Sequence, residues 1–168
     1  MKTNNKIEIC EPKDQLKLYG YENYFNSFKN LYKNNKLPNV ILLTGQKGLG
    51  KATFAYHFIN YLLSISEEYK YSHENFTINT KNSTFKLIQN QIHPNFIALQ
   101  NDLFKENIKI DQVRNLFKFL NKSTYLHNIK IVLLDNAEYL NINSSNALLK
   151  SLEEPSINTF FFIINNSL

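Results

Sequence analysis

One stretch constrains this chain more than any other: Gly45-Gln46-Lys47-Gly48-Leu49-Gly50-Lys51-Ala52-Thr53. It follows the apolar run Val40-Ile41-Leu42-Leu43, which reads as a buried strand. It precedes Phe54-Ala55-Tyr56-His57-Phe58-Ile59, which reads as a helix. Strand, glycine-rich loop, lysine and helix, in that order, make a phosphate-binding P-loop. Glycines let backbone N–H groups turn inward around a phosphate; the helix start adds a partial positive charge and Lys51 a full one. The expected ligand is ATP or ADP. Gly45, Gly48 and Gly50 shape the loop, Gln46, Lys47 and Leu49 complete it, Lys51 faces the β- and γ-phosphates, and Thr53 touches the α-phosphate. The residue after the lysine is Ala52, where Ser or Thr would give a hydroxyl to Mg²⁺.

A second run, Ile131-Val132-Leu133-Leu134-Asp135, is an apolar strand ending in a carboxylate. That is the Walker B pattern, and it makes Asp135 the candidate Mg²⁺ ligand, direct or through water. The position after it, where an ATPase places a glutamate to activate water, is Asn136. A neutral amide oxygen is far less basic than a carboxylate and does not take that proton. Glu138 lies two positions on and reads as a surface or capping residue. Ala52 and Asn136 each remove a group worth about 2–4 kcal/mol in a transition state. The two departures together describe a site that binds nucleotide and hydrolyses it poorly or not at all.

The rest of the chain alternates helices with strands. Tyr24, Phe25, Phe28, Leu31 and Tyr32 mark an amphipathic helix over 21–34. The helix after the glycine loop extends to about Leu63, and Ser83 to Gln91 reads as a short helix. Phe96–Leu99 reads as a strand. Asp111 reads as the N-cap of a helix carrying Val113, Leu116, Phe117 and Leu120 on one face. A strand follows over 129–134, a helix over 144–153 closed by Pro155, and a strand over 159–164. This alternation predicts an α/β fold with a mostly parallel sheet. Residues 1–17 read as an irregular lead-in and 64–82 as loop.

The length, 168 residues, suits one domain, and the net charge of +5 is spread over scattered lysines with no dense basic run. Cys10 is the single cysteine, which excludes an internal disulfide and a cysteine-rich zinc site. No stretch approaches a membrane span and no signal core follows Met1, so the cytoplasm is the expected compartment and no membrane partner is expected.

Ser145-Asn146-Ala147-Leu148-Leu149-Lys150-Ser151-Leu152-Glu153-Glu154-Pro155 resembles the NALLKxLEEP signature of bacterial clamp-loader ATPase subunits. Tyr19-Gly20-Tyr21-Glu22, Gly48-Leu49-Gly50-Lys51-Ala52-Thr53, His93-Pro94-Asn95-Phe96 and Ile110-Asp111-Gln112-Val113-Arg114 are similar to the delta-prime branch of that family in DNA polymerase III. The resemblance covers about residues 18 to 166. It implies a three-layer αβα P-loop NTPase core of the AAA+, RecA-like type over 18–168, with sheet order 5-1-4-3-2. It implies a polar sensor at Asn165 or Asn166 and an adenine side lined by Tyr19 and Gly20. It also implies that an arginine-finger segment, a last strand, a helical lid and a collar lie beyond Leu168, which leaves strand Val40–Thr44 as an exposed edge and a chain prone to aggregate. The implied partners are the tau/gamma and delta subunits, the sliding clamp and, through the complex, primed DNA. In the alternative reading the chain is an active motor of the tau/gamma type, with Thr53 taking the metal role and Glu138 the base role. A small-metabolite kinase is a third reading, against which the signature helix stands.

Overall fold

The computed structural model describes residues 10–100, 110–124 and 129–167. In chain order the elements are α1 (Glu22–Lys33), β1 (Val40–Thr44), α2 (Lys51–Leu63), α3 (Ser83–Gln89), β2 (Phe96–Leu99), α4 (Ile110–Asn121), β3 (Lys130–Leu134), α5 (Ile142–Glu153) and β4 (Thr159–Asn165), with 3-10 turns at Pro12–Asp14 and Ala137–Tyr139. The strands form one parallel sheet in the order β1-β4-β3-β2.

The sheet is covered on both faces because its central strands are apolar on both sides from Ile131 to Leu134 and from Phe160 to Ile164. Successive side chains of a strand point to opposite faces. Ile131, Leu133, Phe160, Phe162 and Ile164 pack with Phe25 of α1, Phe54, Phe58 and Leu62 of α2, and Phe85 and Ile88 of α3. Val132, Leu134 and Phe161 pack on the other face with Val113 and Leu116 of α4 and Leu148 of α5. The result is a three-layer α/β sandwich. Aromatic rings concentrate in the first core: Phe25 meets Phe58, Tyr61, Tyr71 and Phe76 at centroid separations of 5.3, 5.5, 5.1 and 5.5 Å. Among the described residues strand β1 has a neighbour on one side only, and Leu42 on it is 60% exposed.

Lys130 is the one charged residue within β3, yet it is buried. Its ammonium donates to the carbonyls of Leu120 and Lys122, where α4 ends. A cation on the unpaired carbonyls of a helix terminus satisfies both partners.

Three places differ from the sequence reading, and a fourth keeps the expected loop but is held by contacts the pattern did not show. Residues 1–9 lie outside the described residues, but 10–17 are not irregular throughout. The N–H of Leu18 donates to Phe76 (2.9 Å), that of Ile78 donates to Leu16 (2.8 Å), and Lys17 bridges antiparallel to Thr77. Asp111 stands inside the first turn of α4, not at its N-cap, and pairs with Arg114 one turn on at 3.0 Å. Helix α5 starts at Ile142, earlier than the 144 expected, because the Asn141 side chain caps it by accepting from the Ser144 N–H at 2.8 Å. The expected loop before α3 is ordered by side chains. Glu67 accepts from the N–H groups of Ser83 and Thr84 and from the Thr84 hydroxyl at 2.8, 2.9 and 2.6 Å. Asn82 accepts from the Phe85 N–H at 2.6 Å.

His57 lies fully buried on α2, with Nδ1 3.0 Å from the Tyr71 hydroxyl. Desolvation lowers its pKa from 6.5 to about 4, against a smaller opposing pull from the Gln15 backbone. The unfolded chain therefore binds this proton more readily. The stability held by the neutral ring is complete above about pH 6.5 and is lost as pH falls toward 4, in total about 3 kcal/mol. Urea titrations between pH 7.5 and 4 should show this slope in the wild type and not in His57→Gln, taken as the difference between the two.

Candidate functional site

The carboxyl ends of β1, β4 and β3 stand side by side, since Thr44 is in register with Asn165 and Leu134 with Ile163. The polar residues that follow the three strands therefore gather at one rim: Gly45 to Gly50 after β1, Asp135 and Asn136 after β3, and Asn166 after β4. In open parallel sheets this is the rim where ligands bind.

The glycine loop joins β1 directly to α2, which begins at Lys51. Gly45, Gly48 and Gly50 have φ of 139°, 90° and 85°, a region that side chains rarely enter. A Cβ on Gly48 would meet nothing within 4 Å, whereas one on Gly50 would lie 3.4 Å from the Tyr21 ring. Lys51 is 6% exposed, and its ammonium donates to the carbonyls of Gly45 and Gln46, each at 2.7 Å. The lysine is thus folded into its own loop. Lys47 and Leu49 are exposed at the tip. Ala52 packs on the aromatic core, and Thr53 is half-buried beside it.

Asp135 is half-buried, and its N–H donates to Leu99 at 2.8 Å. Burial pushes its carboxyl pKa up. The Asn136 N–H pulls it down, Glu138 raises it, and Lys51 and Lys47 lower it again. Both loop lysines thus act on this carboxylate electrostatically. Asn136 turns the chain in a left-handed conformation, φ 59°. Its side-chain carbonyl accepts from the Asn166 amide at 2.7 Å, linking the ends of adjacent strands. Glu138 is exposed and accepts from the Asn166 N–H at 3.3 Å.

The structure thus brings Gly45, Gln46 and Lys51 into one hydrogen-bonded group, places Asn136, Asn166 and Glu138 in another, and leaves Tyr19 exposed. One residue went unassigned in the sequence reading. Tyr21 donates its hydroxyl to the Leu49 carbonyl at 2.7 Å and lays its ring 5.2 Å from that of Phe54. A tyrosine just ahead of a helix with apolar residues behind it gives no hint of a bond reaching 28 positions on.

The fold and this rim define an α/β protein with a parallel sheet and a glycine-rich loop between its first strand and the helix that follows. A family model described as DNA polymerase III, delta subunit, matches residues 20–168, and the chain belongs to that family. It is 35% identical over 135 residues to the DNA polymerase III subunit delta' of Pseudomonas aeruginosa, across 76% of this chain and 37% of the relative. Identity to the subunit of that name from Escherichia coli is 36% over 78 residues, 46% of this chain and 23% of the relative. A DNA polymerase III subunit tau/gamma from Haemophilus influenzae is 28% identical over 86% of this chain and 20% of its own length. The chain spans less than two fifths of the length of each of these three. In fold it resembles a gamma subunit-related protein of Thermotoga maritima, with a TM-score of 0.55 at 19% identity over 82% of this chain and 38% of that one. No described helix is long and apolar enough to cross a membrane.

The glycines differ in a way that can be measured. Gly48→Ala should cost the left-handed strain alone, about 1–2 kcal/mol. Gly50→Ala adds the displacement of Tyr21 and should lower the melting temperature further. In a Tyr21→Leu background the difference between the two should shrink.

Proposed function

We propose that the chain is the nucleotide-binding core of a clamp-loader subunit of DNA polymerase III, one that binds ATP or ADP and contributes little or no hydrolysis. It would act beside tau/gamma and delta subunits inside the cell, helping to place a sliding clamp on primed DNA. Family membership supports the complex. The observation that carries the catalytic half is Asn136: the position for a water-activating base holds an amide engaged with Asn166.

The residues present fit a nucleotide. The space over Gly48 admits a phosphate against backbone, and Lys51 lies within the loop with an ammonium that can exchange carbonyl partners for phosphate oxygens. A bound nucleotide would supply the phosphate charge that stabilises the loop. Gly45 to Gly50 would hold it and Lys51 would neutralise it. Fit to Mg²⁺ is poorer: Asp135 offers one carboxylate, and Ala52 offers none of the hydroxyl chemistry that Ser or Thr would bring. The motor reading needs Glu138 as base, but that carboxylate is exposed and already accepts from Asn166.

Equilibrium binding of ATP and ADP to the full-length protein, paired with steady-state turnover, tests this. Binding should weaken about tenfold or more in Lys51→Ala, as expected for loss of a charge-assisted contact. Turnover should stay at background in both proteins. Turnover of several per second that disappears in Lys51→Ala would establish the motor instead.

A further inference from the structure

At the opposite end of the sheet from the glycine loop lies a half-open cavity of about 680 Å³. It is lined by Leu37 and Asn39 just ahead of β1, Ile129 just ahead of β3, and Asn158 and Phe160 at the start of β4. The ends of α1 and α2 complete it. Helix α2 starts at the glycine loop and spans 13 residues, so about 20 Å separate the two sites. They are distinct places on the molecule.

The lining combines three chemistries. Tyr32, Tyr61, Tyr71 and Phe160 supply aromatic surface over a floor of Leu37 and Ile129. Lys33 and Lys70 stand exposed at the margin without an ion-pair partner among the described residues, and half-buried His73 lies 6.3 Å from the Tyr61 ring. Asn35 and Asn158, both in left-handed turns, set amide groups at the rim. Among the described residues no Asp or Glu lines the cavity. An aromatic wall takes a flat π-system, amides hydrogen-bond its edge, and unpaired cations take an anion. The volume falls in the range that encloses a nucleotide-sized ligand.

We propose that this cavity binds a nucleobase carrying a phosphate: a second site, independent of the glycine loop. The base packs against Tyr61 and Tyr32, and the phosphate meets Lys33 and Lys70. The source is either a free nucleotide or one unit of a single strand.

The test is made in full-length protein carrying Lys51→Ala, so that the glycine loop does not contribute. The probes are thymidine 5′-monophosphate, followed by calorimetry and amide chemical shifts, and fluorescein-labelled decathymidylate, followed by anisotropy. At least one probe should bind, with shifts concentrated at Asn35, Tyr61 and His73. Lys33→Glu with Lys70→Glu should weaken binding at least tenfold at an unchanged melting temperature, since both side chains are exposed. Lys118→Glu on α4 should have little effect. Tyr61→Leu should weaken binding about fivefold while keeping the charge. A decathymidylate affinity more than tenfold above that of the monophosphate identifies a strand as the source; equal affinities identify the free nucleotide. The proposal is overturned if neither probe binds, if the Lys33/Lys70 reversal leaves binding intact, or if binding follows charge alone, indifferent to Tyr61→Leu and with shifts spread over the surface.

Discussion

Everything in this molecule is arranged around the burial of β3 and β4 on both faces. Ile131 and Leu133 turn one way and Val132 and Leu134 the other, and Phe160, Phe161 and Phe162 do the same one strand along. Removing that much apolar surface from water is favourable only if helices close both sides. Once they do, polar groups belonging to the strands have nowhere to go except the two rims. The carboxyl rim receives the glycine loop, Asp135, Asn136 and Asn166. The amino rim receives Asn39, Asn158 and the mouth of the cavity.

The buried rings of the first core also fix how the glycine loop is held. Tyr21 touches Phe54 with its ring and Leu49 with its hydroxyl, so the loop is tied to α1 as well as to the strand and helix it connects. Phe54 in turn faces Phe28, and Phe58 faces Phe25. A loop made of three left-handed glycines would otherwise have little to restrain it. Here its shape is anchored on the side chains that pack the interior.

What was legible in the residues was whatever depends on near neighbours in the chain. The apolar runs at Val40 and Ile131, the glycine spacing, the lysine that opens α2 and the signature of α5 all express local chemistry, and each lies where its pattern puts it. The parallel sheet followed from alternation alone. What local pattern could not show is bonding across long separations, through side chains and backbone groups alike. Glu67 orders the segment before α3 by accepting from residues 16 and 17 positions on. Leu16 and Leu18 pair with a segment some 60 residues away. The Asn136 to Asn166 bond crosses 30 positions. The cavity is assembled from several separate stretches, none of which carries a recognisable pattern.

The folded-in lysine of the glycine loop has its own consequence. By grasping Gly45 and Gln46, Lys51 occupies its own loop as an internal counter-ligand. An incoming anion must exchange with those carbonyls before it gains the ammonium, so the resting loop is already compact and satisfied. Ammonium and carbonyls answer one another inside the turn, so its shape owes nothing to a bound guest.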